Sequence, residues 1–182
     1  MGFNLRKVRK TKPIKRVAET DYIFTNLKSV HDQADLDKNT VRISVDAKNK
    51  VKIGNFSRGG YSRTTTNAFD HDFSTEYITP LGILDMKKNK VDMTFTQSNV
   101  TADFIVDCIE KYWSNNYYNT GKDTLIINLD NGPENNSRRS QFIKRIADFS
   151  VNNNIKVILA YYPPYHSKYN PIERVWGVLE MH

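Results

Sequence analysis

The stretch TLIINLD, residues 124–130, is a nearly continuous apolar run that stops on an acid. A strand with one face in water alternates apolar and polar residues. A run without alternation belongs to a strand covered on both faces, the habit of parallel sheets. Downstream, Phe142, Ile143, Ile146 and Phe149 mark one stripe of a helix that starts near residue 137. A second apolar run of the same kind, IKVILAY at 155–161, follows it. Strand, helix and strand in this order predict a βαβ unit. PPYHSKYN then reads as a loop and PIERVWGVLE as a final helix.

Upstream, the pattern changes. Ile23, Leu27, Val30 and Ala34 form the apolar stripe of a helix over about 20–37, with Thr20 as its expected N-cap. Val41, Ile43 and Val45 alternate as in a strand, AKNK reads as a turn, and VKIGNF as a returning strand. The polar, Thr-rich stretch 61–72 reads as an exposed excursion. YITPLGILDM and KVDMTFTQS predict two more strands around a KKNK turn. From Thr101, a helix carries Phe104, Ile105, Cys108, Ile109 and Tyr112 on one face and ends near Trp113. Early hairpin-type strands followed by βαβ units predict an α/β fold, a mixed sheet flanked by helices.

Composition narrows the function. The 182 residues carry 27 Lys and Arg against 20 Asp and Glu, a net charge of +7. Residues 1–16 hold seven basic residues and no acid, so the rest of the chain is neutral. A dense basic arm neutralises phosphates and releases counterions, which points to nucleic acid; a solvated tail is the plain alternative. No apolar run reaches the roughly 18 residues of a membrane-spanning helix, and the N-terminus lacks the apolar core of a secretory signal. Cys108 is the only cysteine, which excludes an internal disulfide or a Cys-based zinc site and suits a reducing cytoplasm. On an apolar helix face it reads as a buried, inert thiol.

Two acids end strands: Asp46 the first strand and Asp130 the TLIINLD strand. Sites in open α/β sheets form where strand carboxyl ends gather. Two adjacent carboxylates repel, and a divalent cation relieves that repulsion; Mg²⁺ suits oxygen ligands. Two such ions about 3.5–4 Å apart activate water and stabilise a leaving oxygen. Glu173, just inside the last helix, is placed to complete the set. Each acid also has an ordinary reading. Asp46 and Asp130 suit turns, and Asn170, Pro171 and Glu173 suit N-cap, N1 and N3 of a capping box. Arg58 and Arg63 flank two glycines in FSRGGYSR, which suits phosphate contact or merely an exposed loop. His166 and Lys168 stand before Glu173 as candidate phosphate contacts, or as residues of a surface loop. His71 and Asp72 lack further ligands at a useful spacing. Trp113 and Trp176 fit the core or DNA-facing loops equally.

VRISVDAKNKVKIGNFSRGG, LIINLDNGPENNSRR and YYPPYHSKYNPIERVW, in this order, resemble the DDE domains of bacterial insertion-sequence transposases. The likeness is to the Rhodopirellula-type family and, more distantly, to mariner-like transposases. It extends to DHDF, TPLGILD and TADFIVDCIEKYW, and NPIERVW is its most specific word. The resemblance implies an RNase H-like fold of the retroviral-integrase superfamily, with Asp46, Asp130 and Glu173 as catalytic, metal-binding acids for two Mg²⁺ or Mn²⁺ ions. It implies cleavage of transposon-end DNA and transfer of the freed 3′-hydroxyl into target DNA. Double-stranded DNA is then the partner, a homodimer a possible assembly, and the bacterial cytoplasm and nucleoid the place. Arg6, Lys7, Arg9, Lys10, Arg58, Arg63, His166 and Lys168 are the expected DNA contacts. Forty-two residues separate the second and third acids, longer than the usual mariner-like spacing. Residues 1–19 read as an arm from a missing DNA-binding region, and 20–182 as a catalytic domain cut short at its C-terminus. The alternative is an inactive remnant that at most binds DNA or a partner.

Overall fold

The structure is a computed structural model that describes residues 17–54, 65, 67 and 76–179. The basic arm, with Arg6, Lys7, Arg9 and Lys10, lies outside the described residues. So do Arg58, Arg63, DHDF, His71 and Asp72.

The elements run α1 (Thr20–Leu36), β1 (Thr40–Ala47), β2 (Val51–Lys52), β3 (Tyr77–Asp85), β4 (Lys90–Thr96), α2 (Ala102–Asn116), β5 (Thr124–Leu129), α3 (Ser140–Asn153), β6 (Lys156–Tyr161), a 3₁₀ turn (Ser167–Tyr169) and α4 (Glu173–Leu179). The sheet is mixed, as expected. β4, β3 and β1 are antiparallel neighbours, and β5 and β6 join β1 in parallel. The apolar runs of β5 and β6 do mark parallel strands.

Side-chain alternation sorts the two faces. Val41, Ile43 and Val45 of β1, with Leu125, Ile127 and Leu129 of β5, pack under α2 and α3 through Ile105, Ile109, Phe142, Ile146 and Phe149. The other face is covered by α1, whose Leu27 and Ala34 meet Ile126, Ala160 and Tyr162. Next to it lies α4, whose Ile172 turn and Trp176 meet Leu84. A helix as short as α4 has no stability of its own. Ile172 is 0% and Trp176 4% exposed, and burying each contributes about 2 kcal/mol to holding α4 on the sheet.

Three local expectations are corrected. AKNK is not a hairpin turn. Ala47 faces Leu81 and Lys48 N donates to Pro80 O at 2.9 Å, but Val51 then faces Ile78. The chain thus continues along β3 past one extra residue, a bulge between Lys48 and Val51. A tight hairpin needs left-handed residues, and Asn49 does not adopt that conformation, whereas Asn89 of KKNK does at φ 50°. Glu19 occupies the N-cap position of α1 without a side-chain cap bond, and Thr20 is its first helical residue. α3 starts at Ser140, because Asn131 and Asn136 side chains accept from Ser137 N and Arg138 N and hold the preceding segment in turns. Thr101 caps α2 by accepting from Phe104 N at 3.2 Å. Cys108 is buried, and burial raises its thiol pKa, as its inert role requires. Trp113 belongs to the core against Phe149 and Tyr117.

Candidate metal and nucleic-acid site

Asp46 and Asp130 reach the same place by register. Ser44 of β1 pairs with Asn128 of β5, and each acid lies two residues further along the chain, on the same face, Asp46 within β1 and Asp130 one residue past β5. The β1–β5 pairing ends at Ser44 and Asn128, so both acids lie just beyond it. Glu173 arrives from α4 on that face. All three acids are half-buried, and together they line a cavity of about 350 Å³ with Ala47, Lys48, Asn49, Trp176 and Gly177.

The words around Glu173 explain how α4 is aimed. Asn170 was the expected helix cap, but its side chain goes elsewhere. It accepts from Ser44 Oγ at 2.5 Å through Oδ1 and donates to Val45 O at 3.2 Å through Nδ2. Ser44 Oγ in turn accepts from Ile172 N at 3.0 Å. The Asn170 N–H that a capping-box Glu would take already donates to Ser167 O at 2.7 Å. The capping box therefore does not form, and α4 begins at Glu173 itself after a turn at 171–172. Asn170 and Ile172 fasten the chain to β1 just before Glu173, and Trp176 fastens it just after, donating from Nε1 to Asp46 Oδ2 at 2.9 Å.

Electrostatics mark Asp46. Burial pushes its carboxyl up, the Trp176 bond offsets part of that, and the charges of Asp130 and Glu173 raise it further, to about 7. Asp130 is held differently: its Oδ1 accepts from Gly132 N at 3.0 Å and Asn135 Nδ2 at 3.3 Å. Asn135 is buried, and its Oδ1 has no partner among the described residues. A second cavity of about 450 Å³ shares Asp46 and Asp130 and runs along Lys48, Lys50, Val100 and Asn135.

An all-carboxylate set with mutual repulsion fits a hard divalent cation. Among the described residues, no three His, Cys, Asp or Glu side chains form a ready-made metal cage. The three acids share the lining of one cavity without forming such a cage.

His166 is buried at 4% exposure, not presented to solvent. Its ring packs edge-on to Phe24 at 5.5 Å and stacks on Tyr169 at 5.9 Å, and Nδ1 pairs with Pro164 O at 2.7 Å. Its expected phosphate contact is therefore replaced by a packing role that shapes the loop before Glu173. Lys168 is exposed, with Nζ 5.2 Å from the Tyr169 ring. Sequence reasoning did not assign Ser44, Gly82, Lys48 or Asn135 to the site. Ser44 shares the Asp46 face by alternation, the one signal that was available.

This mixed sheet flanked by helices is the RNase H-like arrangement. It is shared with a Mos1 transposase paired-end complex with left transposon end, at TM-score 0.60, 13% identity, 97% coverage of this chain and 52% of that one. The catalytic domain of Mos1 mariner transposase superposes at TM-score 0.53 and 9% identity, covering 93% of this chain and 74% of that one. A Mos1 mariner paired end complex with Mn gives TM-score 0.58 and 13% identity, with 97% and 54% covered. The chain spans about half the length of the paired-end relatives. No curated protein sequence matches it. The family model of the Rhodopirellula transposase DDE domain matches residues 1–182, and the chain belongs to that family. Among the described residues, no helix is long and apolar enough to cross a membrane.

Proposed function

We infer that the chain is the catalytic domain of a DDE transposase, a metal-dependent polynucleotidyl transferase that cleaves transposon-end DNA and joins the freed 3′ end to target DNA. The observation that carries this is the meeting of Asp46, Asp130 and Glu173, from three separate elements, on one cavity where burial, with like charge adding to it, raises Asp46 to about 7. Asp46 and Asp130 would hold Mg²⁺ or Mn²⁺ with Glu173 completing the set, two ions in all. When bound, such ions activate water or a 3′-hydroxyl and stabilise the leaving oxygen. The chain's own part is orientation. Asn170, Ser44 and Trp176 fix α4 so that Glu173 faces the two strand acids. Lys48 and Lys50 border the adjoining cavity and would line the backbone of a bound duplex. Arg6, Lys7, Arg9, Lys10, Arg58, Arg63 and Lys168 would add phosphate contacts, with 1–19 as a basic arm and a homodimer pairing two ends.

Nicking of a labelled duplex carrying the element's end should require Mg²⁺ or Mn²⁺. It should fall at least about a hundredfold in Asp130→Asn, the scale of losing a group that stabilises the transition state. DNA binding without metal-dependent nicking in the wild-type chain would favour the inactive binding remnant instead. Nicking unchanged in Asp130→Asn would remove these acids from the chemistry.

A further inference from the structure

Trp176 stands three residues beyond Glu173 and is 4% exposed. Its indole crosses β3 at Gly82, the residue paired with Asp46. A Cβ at position 82 would meet Trp176 Cη2 at 2.8 Å and Ile172 Cδ1 at 3.0 Å. The missing side chain is thus what lets the indole lie over β3 and bring Nε1 to Asp46 Oδ2 at 2.9 Å. Lys48 Nζ lies 5.9 Å from the same ring. An indole N–H is a donor only, and packing gives it one direction. An aspartate carboxyl rotates broadly about its last torsion unless something holds it.

We propose that Trp176 is the positioning residue of Asp46: its N–H holds Oδ2 and so fixes the direction in which the carboxyl faces a divalent cation in the cavity shared with Asp130 and Glu173. The inference rests on the metal reading of Asp46 given above. Asp130 shows the same device, with Oδ1 held by Gly132 N and Asn135 Nδ2. A carboxylate already fixed in direction loses less freedom when it binds an ion. Outer partners of metal ligands typically matter about 10- to 100-fold in affinity. Because Trp176 and Glu173 share α4, the same bond also ties the helix carrying the third acid to the strand carrying the first.

The test is Mn²⁺ binding by titration calorimetry on the whole chain. Trp176 is replaced by benzothienylalanine, which keeps the bicyclic shape and lacks the N–H, and in a second variant by Phe. Both should bind Mn²⁺ about tenfold more weakly, and the benzothienylalanine chain should unfold at the wild-type urea midpoint. Asp46→Asn serves as the reference. If it abolishes Mn²⁺ binding while the benzothienylalanine chain binds like wild type, the positioning role is overturned and the metal site stands. If Mn²⁺ binding survives Asp46→Asn, the metal site itself is overturned and this role with it.

Discussion

Asp46 and Asp85 sit on opposite faces and opposite ends of the same antiparallel pair of strands, and their surroundings could hardly differ more. Asp85 is 0% exposed. Its Oδ1 accepts from Lys87 N at 2.9 Å and Lys88 N at 2.8 Å, and its Oδ2 from Tyr112 OH at 2.8 Å and from Tyr117 OH. Burial pushes its carboxyl up, but these four donors overcome that and hold it below its usual value. Burial also raises both tyrosines, with Asp85 adding to the effect, so they stay protonated as donors. Asp46 has one side-chain donor, Trp176, and one backbone donor, the Ala47 N–H, and it faces two other carboxylates instead of hydroxyls. A buried acid that serves structure is surrounded by donors until its charge is satisfied. A buried acid with fewer donors, set beside like charges, keeps its proton or takes up a cation.

The largest expected effect lies on the satisfied side. Asp85→Ala should destabilise the fold by about 3 kcal/mol in urea unfolding, because two buried hydroxyls and two backbone N–H groups lose their acceptor. A loss below about 1 kcal/mol would break the contrast. The pH dependence has a definite sign. Since the folded Asp85 carboxyl lies below its unfolded value of about 3.9, its stabilisation is present above that pH and is lost as pH falls through the lower folded value. Asp85→Asn should therefore flatten the acid limb of the stability curve.

Asp46 should behave in the opposite way. Its folded carboxyl is raised to about 7, so its contribution is full below about pH 3.9 and declines as pH rises towards 7. In buffer free of divalent ions, Asp46→Asn should be more stable than wild type at pH 8 and equal to it below about pH 4. Adding Mg²⁺ should stabilise wild type and leave Asp46→Asn unmoved. A wild-type advantage at pH 8 without metal would mean that Asp46 is a satisfied acid like Asp85.

The smallest effect concerns two copies of one tripeptide. Lys48–Lys50 and Lys88–Lys90 both read Lys-Asn-Lys before a valine, yet the first is a bulged continuation and the second a hairpin turn. Asn89 is left-handed at φ 50° and Asn49 is not. Asn89→Ala should cost about 1 kcal/mol by chemical denaturation, and Asn49→Ala less than about 0.5 kcal/mol.

That tripeptide also shows where the sequence stops being legible. Element type followed from periodicity: the unbroken apolar runs of β5 and β6, and the stripes of α1, α2 and α3, are local signals of burial. The path of the chain after Asp46 was not local. KNK carries no instruction to turn or to run on, and what decides is pairing with β3, a segment some thirty residues away. The three acids were legible because each closes or opens an element and because NPIERVW is a specific word. The inner meaning of that word was not. Asn170 looks like a helix cap and is a fastener to β1, since Ser44 offers a buried hydroxyl at the right register. Trp176 and Gly82 act as a pair only because β3 places position 82 beside Asp46. His166 looked like a ligand for phosphate and is buried between Phe24 and Tyr169, a contact with α1 that nothing near it in sequence announces.

Whether Asp46, Asp130 and Glu173 hold divalent metal together is decided by anomalous diffraction from crystals soaked in Mn²⁺. Manganese density is expected in the cavity bounded by these three carboxylates, and none there in crystals of Asp46→Asn. Manganese bound elsewhere on the chain while that cavity stays clear would contradict a shared site.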